Sequence, residues 1–335
     1  MATYKEAGVD VEAGEAAVRR IAGHVRSTFT PAVLTDVGAF GGLFALDAAR
    51  YRQPVLVSSM DGVGTKLKVA QRVGRHDTVG QCLVNHCVND IAVSGARPLF
   101  FLDYFAAGVL DAAVLDAVVQ GVARACRENG CALVGGETAE MPDLYRAGDY
   151  DLAGTVVGVV ERDEVIDGTA IRAGDVLLGL PSTGLHTNGY SLARKVLFDR
   201  FVAADEPDAL GGVSVGAALL AVHRSYLDAI QALVAEGLAA GFAHITGGGL
   251  VANTRRILPA GLDVDVAWGA WTVPPIFRLI ESAGHVPEED MRRTFNLGVG
   301  LVAVVAEANV ARTLAVLGAL GEPAFRVGTV VGERE

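Results

Sequence analysis

Short apolar segments alternate with longer amphipathic segments along almost the whole of this sequence. Runs such as those at 176–180 and 299–305 have the apolar character and the length of buried strands. Segments such as 12–27 and 111–128 instead repeat apolar residues every three or four positions, which predicts helices that bury one face. Because strands and helices that alternate in this way must cover each other's apolar faces, the pattern predicts an α/β or α+β fold.

The alternation is interrupted at 161–168, where acidic residues and a glycine replace apolar ones. A chain of 335 residues is long enough for two domains. The part after the interruption begins again with a strand at 176–180 and ends with a strand–helix–strand unit. We therefore predict one domain at 1–168 and a second at 169–335, the second with a mixed sheet.

The charge balance limits the partners of this chain. Twenty-eight Lys and Arg residues against 39 Asp and Glu residues give a net charge of −11, which argues against binding to nucleic acid or to an anionic membrane surface. The N-terminus has no apolar signal core, and every apolar run is far shorter than the ~20 residues of a membrane span. We expect a soluble, cytoplasmic protein, for which a small anionic substrate remains possible.

The four cysteines form two pairs with C-x4-C spacing, Cys82 with Cys87 and Cys126 with Cys131. A zinc site is one interpretation. However, helical positions five apart do not share a face, and the spacing differs from the usual C-x2-C of zinc knuckles. Buried core thiols are the interpretation that we favour.

Glycine-rich segments stand at several junctions between predicted strands and helices, at 38–42, 62–64, 135–136 and 247–249. Glycine lets the backbone approach a ligand closely, and a helix N-terminus offers N–H donors to phosphate. The segment Asp61-Gly62-Val63-Gly64-Thr65-Lys66 is predicted as a loop of this kind between a strand and a helix. A plain strand–helix turn, with Asp61 as its hydrogen-bonding residue, is the alternative.

Several carboxylates in the first half of the chain lie within or directly after predicted apolar helices and strands. Asp90 lies in an apolar helix near its C-terminus, where the helix dipole disfavours a negative charge. Asp103 lies within an aromatic strand, and Glu137 and Glu140 follow the turn at 134–136. Such carboxylates could hold Mg²⁺ against nucleotide phosphates. The alternative for each is an ordinary salt bridge, for example to Arg97.

Two loops of the second half display polar groups before predicted helices. The segment 185–189 contains His186, Thr187 and Asn188, and histidine is suited to proton transfer or to hydrogen-bonding a reacting oxygen. The segment 246–249 could cradle a phosphate. A helix cap by Asn188 or Thr187, and a glycine hinge at 247–249, are the structural alternatives.

Two familiar catalytic patterns occur in the wrong context. The segment 212–216 matches the G-x-S-x-G nucleophile elbow but follows a loop instead of a buried strand. The segment 298–303 matches the dinucleotide fingerprint but opens a strand instead of a helix. Neither pattern therefore supports a hydrolase or a nicotinamide dehydrogenase.

Seven motifs occur in an order that resembles the aminoimidazole ribonucleotide synthetases, also called phosphoribosylformylglycinamidine cyclo-ligases. The segment from Asp90 to Pro98 also resembles the D-x4-G-A-x-P signature of a wider ATP-binding superfamily. The resemblance extends from Tyr4 to about residue 331. In chain order the motifs are DGVGTKLK at 61–68, VND at 88–90, FFLDYF at 100–105, VGGETAEMP at 134–142, HTNGYSL at 186–192, HITGGG at 244–249 and TFNLGVG at 294–300.

The resemblance implies a reaction of purine biosynthesis. ATP phosphorylates the formyl amide oxygen of formylglycinamidine ribonucleotide, and ring closure then gives aminoimidazole ribonucleotide, ADP and phosphate. The implied cofactors are ATP and Mg²⁺, and K⁺ is a further candidate. The family is a homodimer in which N-terminal domains pair through strands into a shared barrel. By this resemblance, 1–168 is the ATP-binding and dimerisation domain and 169–335 completes the substrate cleft.

The resemblance also implies roles for individual residues. The N-terminal glycine loop departs from the family pattern at 35–37 and at Ala39, which weakens the assignment of this loop to ATP contact. The Mg²⁺–ATP carboxylates are Asp61, Asp90 and Glu137; the ATP phosphates contact Gly62, Gly64, Thr65 and Lys66 beneath a lid of Gly41 and Gly42; His186 and Asn188 orient the reacting amide; Thr246, Gly247 and Gly248 bind the ribose phosphate, and Asn296 lines the same cleft.

Two alternatives keep some of these features. A thiamine-monophosphate kinase shares the superfamily fold, although the loops at 186–192 and 294–300 favour the cyclo-ligase. A nucleotide-binding assembly protein without catalysis would keep the phosphate glycines, but it would not require His186 and the carboxylates.

Overall fold

The structure, a computed structural model, describes residues 3–333. The chain divides into two compact units, one made of Met1–Val88 with Pro98–Val159 and the other of Asn89–Arg97 with Val160–Glu335. Each unit contains helices and one β-sheet. The chain therefore has the two-domain fold of mixed α and β structure that the alternating pattern predicts.

The boundary between the units differs from the predicted one at 168–169. The first unit ends at Val159, and the short segment Asn89–Arg97 belongs to the second unit. A hydrogen bond of 3.1 Å from the Ile166 N–H to the Ser94 carbonyl joins that segment to the chain after the boundary. Sequence patterns could not reveal this exchange, because it depends on contacts between distant residues.

The first unit contains a four-stranded sheet with the order β1–β4–β2–β3. Strands β2 and β3 are parallel, and their register places Phe100 opposite Ala132 and Asp103 opposite Gly136. Its helices are α1 (Val11–Arg26), α2 (Leu67–Val73), α3 (Asp77–Ala92) and α4 (Ala112–Glu128); its strands are β1 (Pro54–Gly62), β2 (Arg97–Ala107), β3 (Ala132–Glu140) and β4 (Tyr150–Glu161).

The second unit contains a five-stranded sheet with the order β6–β8–β5–β9–β7. Every residue of β8, next to the centre of this sheet, is buried. Its strands are β5 (Val176–Pro181), β6 (Ala239–His244), β7 (Leu262–Val266), β8 (Val299–Val305) and β9 (Phe325–Gly332); its helices are α5 (Tyr190–Phe198), α6 (Val215–Leu219), α7 (Leu227–Ala235), α8 (Gly249–Arg255), α9 (Pro275–Gly284), α10 (Glu288–Thr294) and α11 (Val310–Ala319).

All four strand pairings of the second sheet are antiparallel, which differs from the mixed sheet predicted for this domain. Helices between consecutive strands favour parallel pairing because a crossover is needed to bring parallel strands side by side. Among β5 to β9, no two strands that follow one another in the chain are neighbours in the sheet. The alternation therefore predicted the layers correctly but not the strand directions.

Three predicted elements differ in detail from the structure. Asp61 and Gly62 are the last residues of β1 instead of the start of a loop. Strand β3 continues through Glu137 to Glu140 because its pairing with β2 continues that far. The single helix predicted at 216–236 is two helices, α6 and α7, with a non-helical segment at 220–226.

The sequence patterns missed two elements entirely. Strand β6 is rich in alanine and glycine, which have low strand propensity, and it forms because it pairs with the buried strand β8. Helix α10 is too highly charged to show an apolar period. Within residues 3–333, no helix is long and apolar enough to cross a membrane.

Helices α3 and α4 approach closely at two glycines, and α3 carries Asp90 near its C-terminal end. A Cβ atom on Gly80 would collide with the backbone of Val118 and Val122, and one on Gly121 would collide with the Asp77 carbonyl. Neither side can move without shifting a helix. Close contact of the two backbones therefore fixes the position of α3.

We predict that Gly80→Ala destabilises the protein by about 1–3 kcal/mol, because the added methyl group forces two buried backbones apart. Gly23→Ala is the matched control in α1, where a Cβ atom meets nothing within 4 Å. That change should stabilise by about 0.5–1 kcal/mol through helix propensity. Urea unfolding of both variants measures the difference, and equal free energies of unfolding would contradict the prediction.

Candidate active site

Asp90 is held by a histidine from a distant part of the chain. The Asp90 Oδ1 atom lies 2.8 Å from His244 Nδ1, with the Asp90 side chain 31% exposed and the His244 side chain 3% exposed. The imidazole therefore donates to a carboxylate that the C-terminal end of α3 would otherwise disfavour. This pairing differs from the salt bridge to Arg97 that was the alternative for Asp90.

His186 is buried in the loop before α5, with a left-handed backbone at φ 60°. The Thr183 backbone N–H donates to His186 Nε2 at 3.2 Å, so in the neutral imidazole Nδ1 carries the hydrogen. The ring has little space around it. A Cβ atom on Gly300 would meet His186 Cε1 at 2.6 Å, so the glycine of the apolar strand β8 is needed to accommodate this histidine.

Asn188 follows in the same loop and does not cap the helix. The N-cap of α5 is Gly189, with no side-chain hydrogen bond, so the capping role considered for Asn188 or Thr187 is wrong. The Asn188 Nδ2 atom is shielded from solvent and has no hydrogen-bond partner within residues 3–333. A buried donor of this kind costs free energy unless a ligand accepts from it.

The segment 246–249 forms a glycine turn before α8. Gly248 and Gly249 have φ values of 100° and 71°, which favour glycine. The Asn253 side chain donates from Nδ2 to the carbonyls of Thr246, Gly247 and Gly249 at 2.9–3.3 Å. These carbonyls are therefore engaged, whereas the N–H groups of Gly247 and Gly248 donate to no other backbone group within residues 3–333.

Asn188 faces this glycine turn. A Cβ atom placed on Gly247 would lie 3.4 Å from Asn188 Oδ1, in ordinary van der Waals contact. The second unit therefore brings together two of the predicted groups, the amide before α5 and the turn before α8. The side-chain amide of Asn188 therefore lies beside the backbone of the turn.

Asn296 has a structural role in the second unit. Its Nδ2 donates to the Gly184 carbonyl, and its Oδ1 accepts from Ser182 Oγ and from the Gly298 N–H, each at 2.9 Å. These bonds join the loop before His186 to the loop before β8. The predicted contact of Asn296 with substrate stays a prediction, and the structure gives this residue a different function in holding two loops together.

In the first unit, Asp61 lies at the end of β1 and is paired with a histidine. Its Oδ2 lies 2.9 Å from His86 Nε2, and its Oδ1 accepts from the Gly62 N–H at 2.7 Å. The next residues of the motif, Gly64 and Thr65, are exposed, and Gly64 has a φ of 62°. The predicted loop thus begins after Gly62, with its exposed part at Gly64 and Thr65.

Lys66 does not face solvent with the rest of this motif. Its side chain is fully buried, and Nζ donates to Cys82 Sγ at 3.1 Å. Contact between Lys66 and a phosphate would therefore require a different side-chain conformation. All four cysteines are buried thiols, in agreement with the interpretation as core residues.

Glu137 is exposed on β3, at the opposite edge of the sheet from the strand that carries Asp61. Strands β1 and β3 are the two edges of this sheet, with β4 and β2 between them. Three inter-strand spacings separate them, about 14 Å at 4.7–4.9 Å each. The structure therefore does not bring Asp61 and Glu137 of one chain together around one ion.

The two glycines predicted as a lid lie in an exposed loop of the first unit. A Cβ atom on Gly42 would come within 2.7 Å of the Val134 carbonyl, so this glycine packs against the backbone of β3 at Val134. Gly41 has open space around it. Their contact with ATP stays a prediction.

The sequence patterns missed His223, and they identified His244 only as part of a motif. His223 is fully buried in the segment 220–226, which lies within the single helix predicted at 216–236. The Asn89 side chain explains the break in that helix, since Oδ1 accepts from the Tyr226 N–H at 2.8 Å and Nδ2 donates to the Arg224 carbonyl at 2.9 Å.

Two family models match this chain. "AIR synthase related protein, N-terminal domain" matches residues 46–160, and "AIR synthase related protein, C-terminal domain" matches residues 172–335. The chain belongs to the AIR synthase related family. The first matched region ends near the end of β4. The boundary between the two structural units lies at the same place, apart from the exchanged segment 89–97.

Among the relatives in this family is a phosphoribosylformylglycinamidine cyclo-ligase from Trichlorobacter lovleyi. It is 52% identical over 98% of this chain and 95% of its own length. This relationship covers both units, so it agrees with the resemblance drawn from the seven motifs.

Solved structures with the same fold include a thiamine-monophosphate kinase from Stenotrophomonas maltophilia, with a TM-score of 0.70, 16% identity and coverage of 95% of this chain and 94% of the other. The hydrogenase maturation protein HypE in complex with ATP has a TM-score of 0.64 and 23% identity, with coverage of 92% and 84%. At these identities the likeness establishes the fold of the AIR synthase related chain and nothing more.

Asp103 has an unusual protonation equilibrium in the first unit. Burial raises the pKa of its carboxyl group to about 7. Burial also raises the pKa of the Cys126 thiol, with a hydrogen bond to Cys131 as a second cause.

We predict that Asp103→Asn reduces the dependence of stability on pH between about 4 and 7. The folded state binds the Asp103 proton more tightly than the unfolded state, so in this window the wild type loses stability as the pH rises. The asparagine variant lacks this contribution. Urea unfolding at several pH values measures it as the difference between the two proteins, and parallel pH curves would contradict the raised pKa.

Proposed function

We propose that this chain catalyses the ATP-dependent ring closure of formylglycinamidine ribonucleotide to 5-aminoimidazole ribonucleotide, with release of ADP and phosphate. The observation that carries the proposal is the 52% identity, over nearly the full length of both chains, to a phosphoribosylformylglycinamidine cyclo-ligase. The reaction forms a C–N bond and belongs to de novo purine biosynthesis.

The chemistry explains why ATP is needed. An amide oxygen is a poor leaving group, so the formyl amide oxygen first takes the terminal phosphoryl group of ATP. The amidine nitrogen then attacks the activated carbon, the C–O bond breaks, and phosphate leaves with the former amide oxygen. No covalent bond to the enzyme is required, so the chain needs groups that bind and orient, and it does not need a nucleophile.

In the second unit, His186 and Asn188 are the residues that we propose to orient the reacting amide. Asn188 supplies a buried amide donor that has no hydrogen-bond partner in the described part of the chain, and His186 Nδ1 carries a hydrogen when Nε2 accepts from Thr183. Both are suited to donate to an oxygen on which negative charge develops.

We propose that the ribose phosphate binds at the turn of Thr246, Gly247 and Gly248. The N–H groups of the two glycines are donors for phosphate oxygens, and the Thr246 hydroxyl, which donates to Asn253 Oδ1 at 3.2 Å, lies beside them. Asn296 supports this region by holding the neighbouring loops. The net charge of −11 fits a phosphate site made of neutral donors instead of a basic surface.

ATP would use the exposed part of the motif in the first unit. Gly64 and Thr65 offer backbone and hydroxyl groups to phosphates. Gly62 directly precedes this part, with its N–H donating to Asp61 Oδ1. Gly41 and Gly42 offer a loop that could cover the phosphates. Lys66 could join only by turning outwards from Cys82. The HypE structure with a similar fold is a complex with ATP, which supports the use of this nucleotide.

The carboxylates Asp61, Asp90 and Glu137 are the proposed Mg²⁺ ligands, and K⁺ is a further candidate cofactor. Their hard oxygen donors suit Mg²⁺, and a histidine contacts and orients one oxygen of Asp61 and one oxygen of Asp90. When bound, Mg²⁺ would neutralise charge on phosphate oxygens. Because β1 and β3 are the two edges of the sheet, Glu137 would not share an ion with Asp61 of the same chain. Glu137 would hold a second ion, or it would share an ion with a second copy of the chain.

We also propose that the chain is a homodimer that pairs through the first unit. Strand β1 is a sheet edge, and it exposes Leu56 and Met60 by 62% and 69%. Edge strands with exposed apolar residues pair with other chains unless they are protected. Leu34, Phe40 and Leu43 add exposed apolar surface in the same unit.

The proposed reaction predicts two products from one incubation. The purified protein with formylglycinamidine ribonucleotide, ATP and Mg²⁺ should release ADP and aminoimidazole ribonucleotide in equal amounts, measured by a coupled ADP assay and by diazotisation. ADP without the aminoimidazole would indicate a kinase of the same superfamily. The absence of both products would contradict the proposal.

The variant Asp90→Asn tests the site within this reaction. The amide oxygen can still accept from His244, so folding should be retained, whereas the lost charge should lower turnover by about 100-fold or more. Asp228→Asn, at an exposed position of α7, is the control and should keep full activity. Unchanged turnover of Asp90→Asn would exclude Asp90 from the metal site.

The dimer proposal predicts a change of mass when β1 is altered. Wild-type protein should have the mass of two chains in light scattering, and Leu56→Glu should shift it towards one chain because a charge replaces apolar surface at the edge. Leu320→Glu, at a 48% exposed leucine of the second unit, is the control and should stay dimeric. A monomeric wild type would contradict the proposal.

A further inference from the structure

His223 contacts two other histidines in the interior of the second unit. Its Nε2 lies 3.0 Å from His244 Nε2, and its ring stacks on the ring of His186 with centroids 4.0 Å apart and planes 17° apart. All three side chains are buried. His223 thus connects the histidine of the proposed amide site with the histidine that holds Asp90.

The position of His223 is fixed by the residue before Asp90. Asn89 is fully buried, and its side chain bonds to the backbone of Arg224 and Tyr226 on the same segment as His223. The Asn89 Nδ2 atom also lies 3.3 Å from His223 Nε2. The segment 220–226 is therefore attached to the end of α3 that carries Asp90.

The hydrogen bonds around His244 define its orientation from both sides. Its Nδ1 donates to the Asp90 carboxylate, which leaves Nε2 facing the Nε2 of His223. Two ring nitrogens 3.0 Å apart share one hydrogen, with one as donor and the other as acceptor. Removing the His223 nitrogen therefore removes one of the hydrogen bonds that hold the imidazole beside Asp90.

The same three rings could suggest a metal site, since their nitrogen atoms lie within 4.8 Å of one another. The lone pair of an imidazole nitrogen lies in the ring plane, and zinc binds such a nitrogen at about 2.0–2.1 Å. Because the His186 and His223 rings are stacked and nearly parallel, their lone pairs do not converge on one ion. The arrangement fits a stack joined to a hydrogen-bonded pair.

We propose that His223 is a positioning residue for the ring closure, acting through two separate contacts. Stacking holds the ring of His186 in the orientation that presents Nδ1 to the substrate. The hydrogen bond to His244 holds the Asp90 carboxylate for Mg²⁺. This inference rests on the proposed function, in which small errors of position reduce the rate of phosphoryl transfer.

Two substitutions separate the two contacts. His223→Phe keeps an aromatic ring against His186 but loses the hydrogen bond to His244. His223→Gln keeps a nitrogen donor for His244 but loses the stacked ring. The control is His285→Gln, which makes the same replacement at an exposed histidine. Thermal unfolding of all three variants shows whether a variant is only less stable.

The expected results for the two variants are opposite. In His223→Phe, the Mg²⁺ concentration for half-maximal activity should rise by about 10-fold to 100-fold, as for loss of a group that orients a metal ligand. In His223→Gln, that concentration should change by less than about threefold, while kcat falls by about 10-fold or more. Equal changes of both quantities in the two variants, or none, would overturn the proposal.

Nitrogen NMR of the histidine rings gives a readout that does not need turnover. The wild type and His223→Gln should show His244 with a protonated Nδ1 and a hydrogen-bonded Nε2, whereas His223→Phe should lose the Nε2 hydrogen bond. A wild type that makes no aminoimidazole would refute the proposed function, and this spectrum would still test the link. Identical His244 signals in wild type and His223→Phe would refute the link itself.

Discussion

The hydrogen bond between Asp90 and His244 is the interaction on which the candidate site of the second unit depends. It stabilises a carboxylate at the unfavourable end of α3, and it joins residues 154 positions apart in the chain. Because Asn89 also holds the segment 220–226, two neighbouring residues of one helix contact both His244 at the end of β6 and the segment that carries His223. The exchange of 89–97 into the second unit is the backbone consequence of these contacts.

Glycine has two distinct uses in this protein. In the turn at 247–249 it permits backbone angles that other residues avoid, and it leaves N–H groups accessible. In strand β8, Gly300 has no such angle, but any side chain there would occupy the space of His186 and Tyr226. The apparent dinucleotide fingerprint at 298–303 combines both kinds, since Gly298 has a φ of 99° and Gly300 is required by packing around a buried histidine.

Predictions from local pattern succeeded where the pattern itself determines the structure. Helices α1 and α4 lie within one residue of their predicted bounds because each has a continuous apolar face and an aspartate N-cap. The loop containing His186 was also predicted correctly as the connection before α5. Helix prediction failed at 220–226, because Asn89 replaces helical hydrogen bonds with its own, and nothing near His223 in the sequence indicates this.

The amino-acid sequence specified the layers, the glycine turn at 247–249 and, through seven ordered motifs, the family and its reaction. These properties depend on residue types and on spacings along the chain, which can be read locally. The inward direction of Lys66, the separation of Asp61 from Glu137 and the stacking of His223 on His186 depended on the folded chain. Apolar periodicity tells which face of an element is buried, but only the packing of distant elements determines what that face contacts.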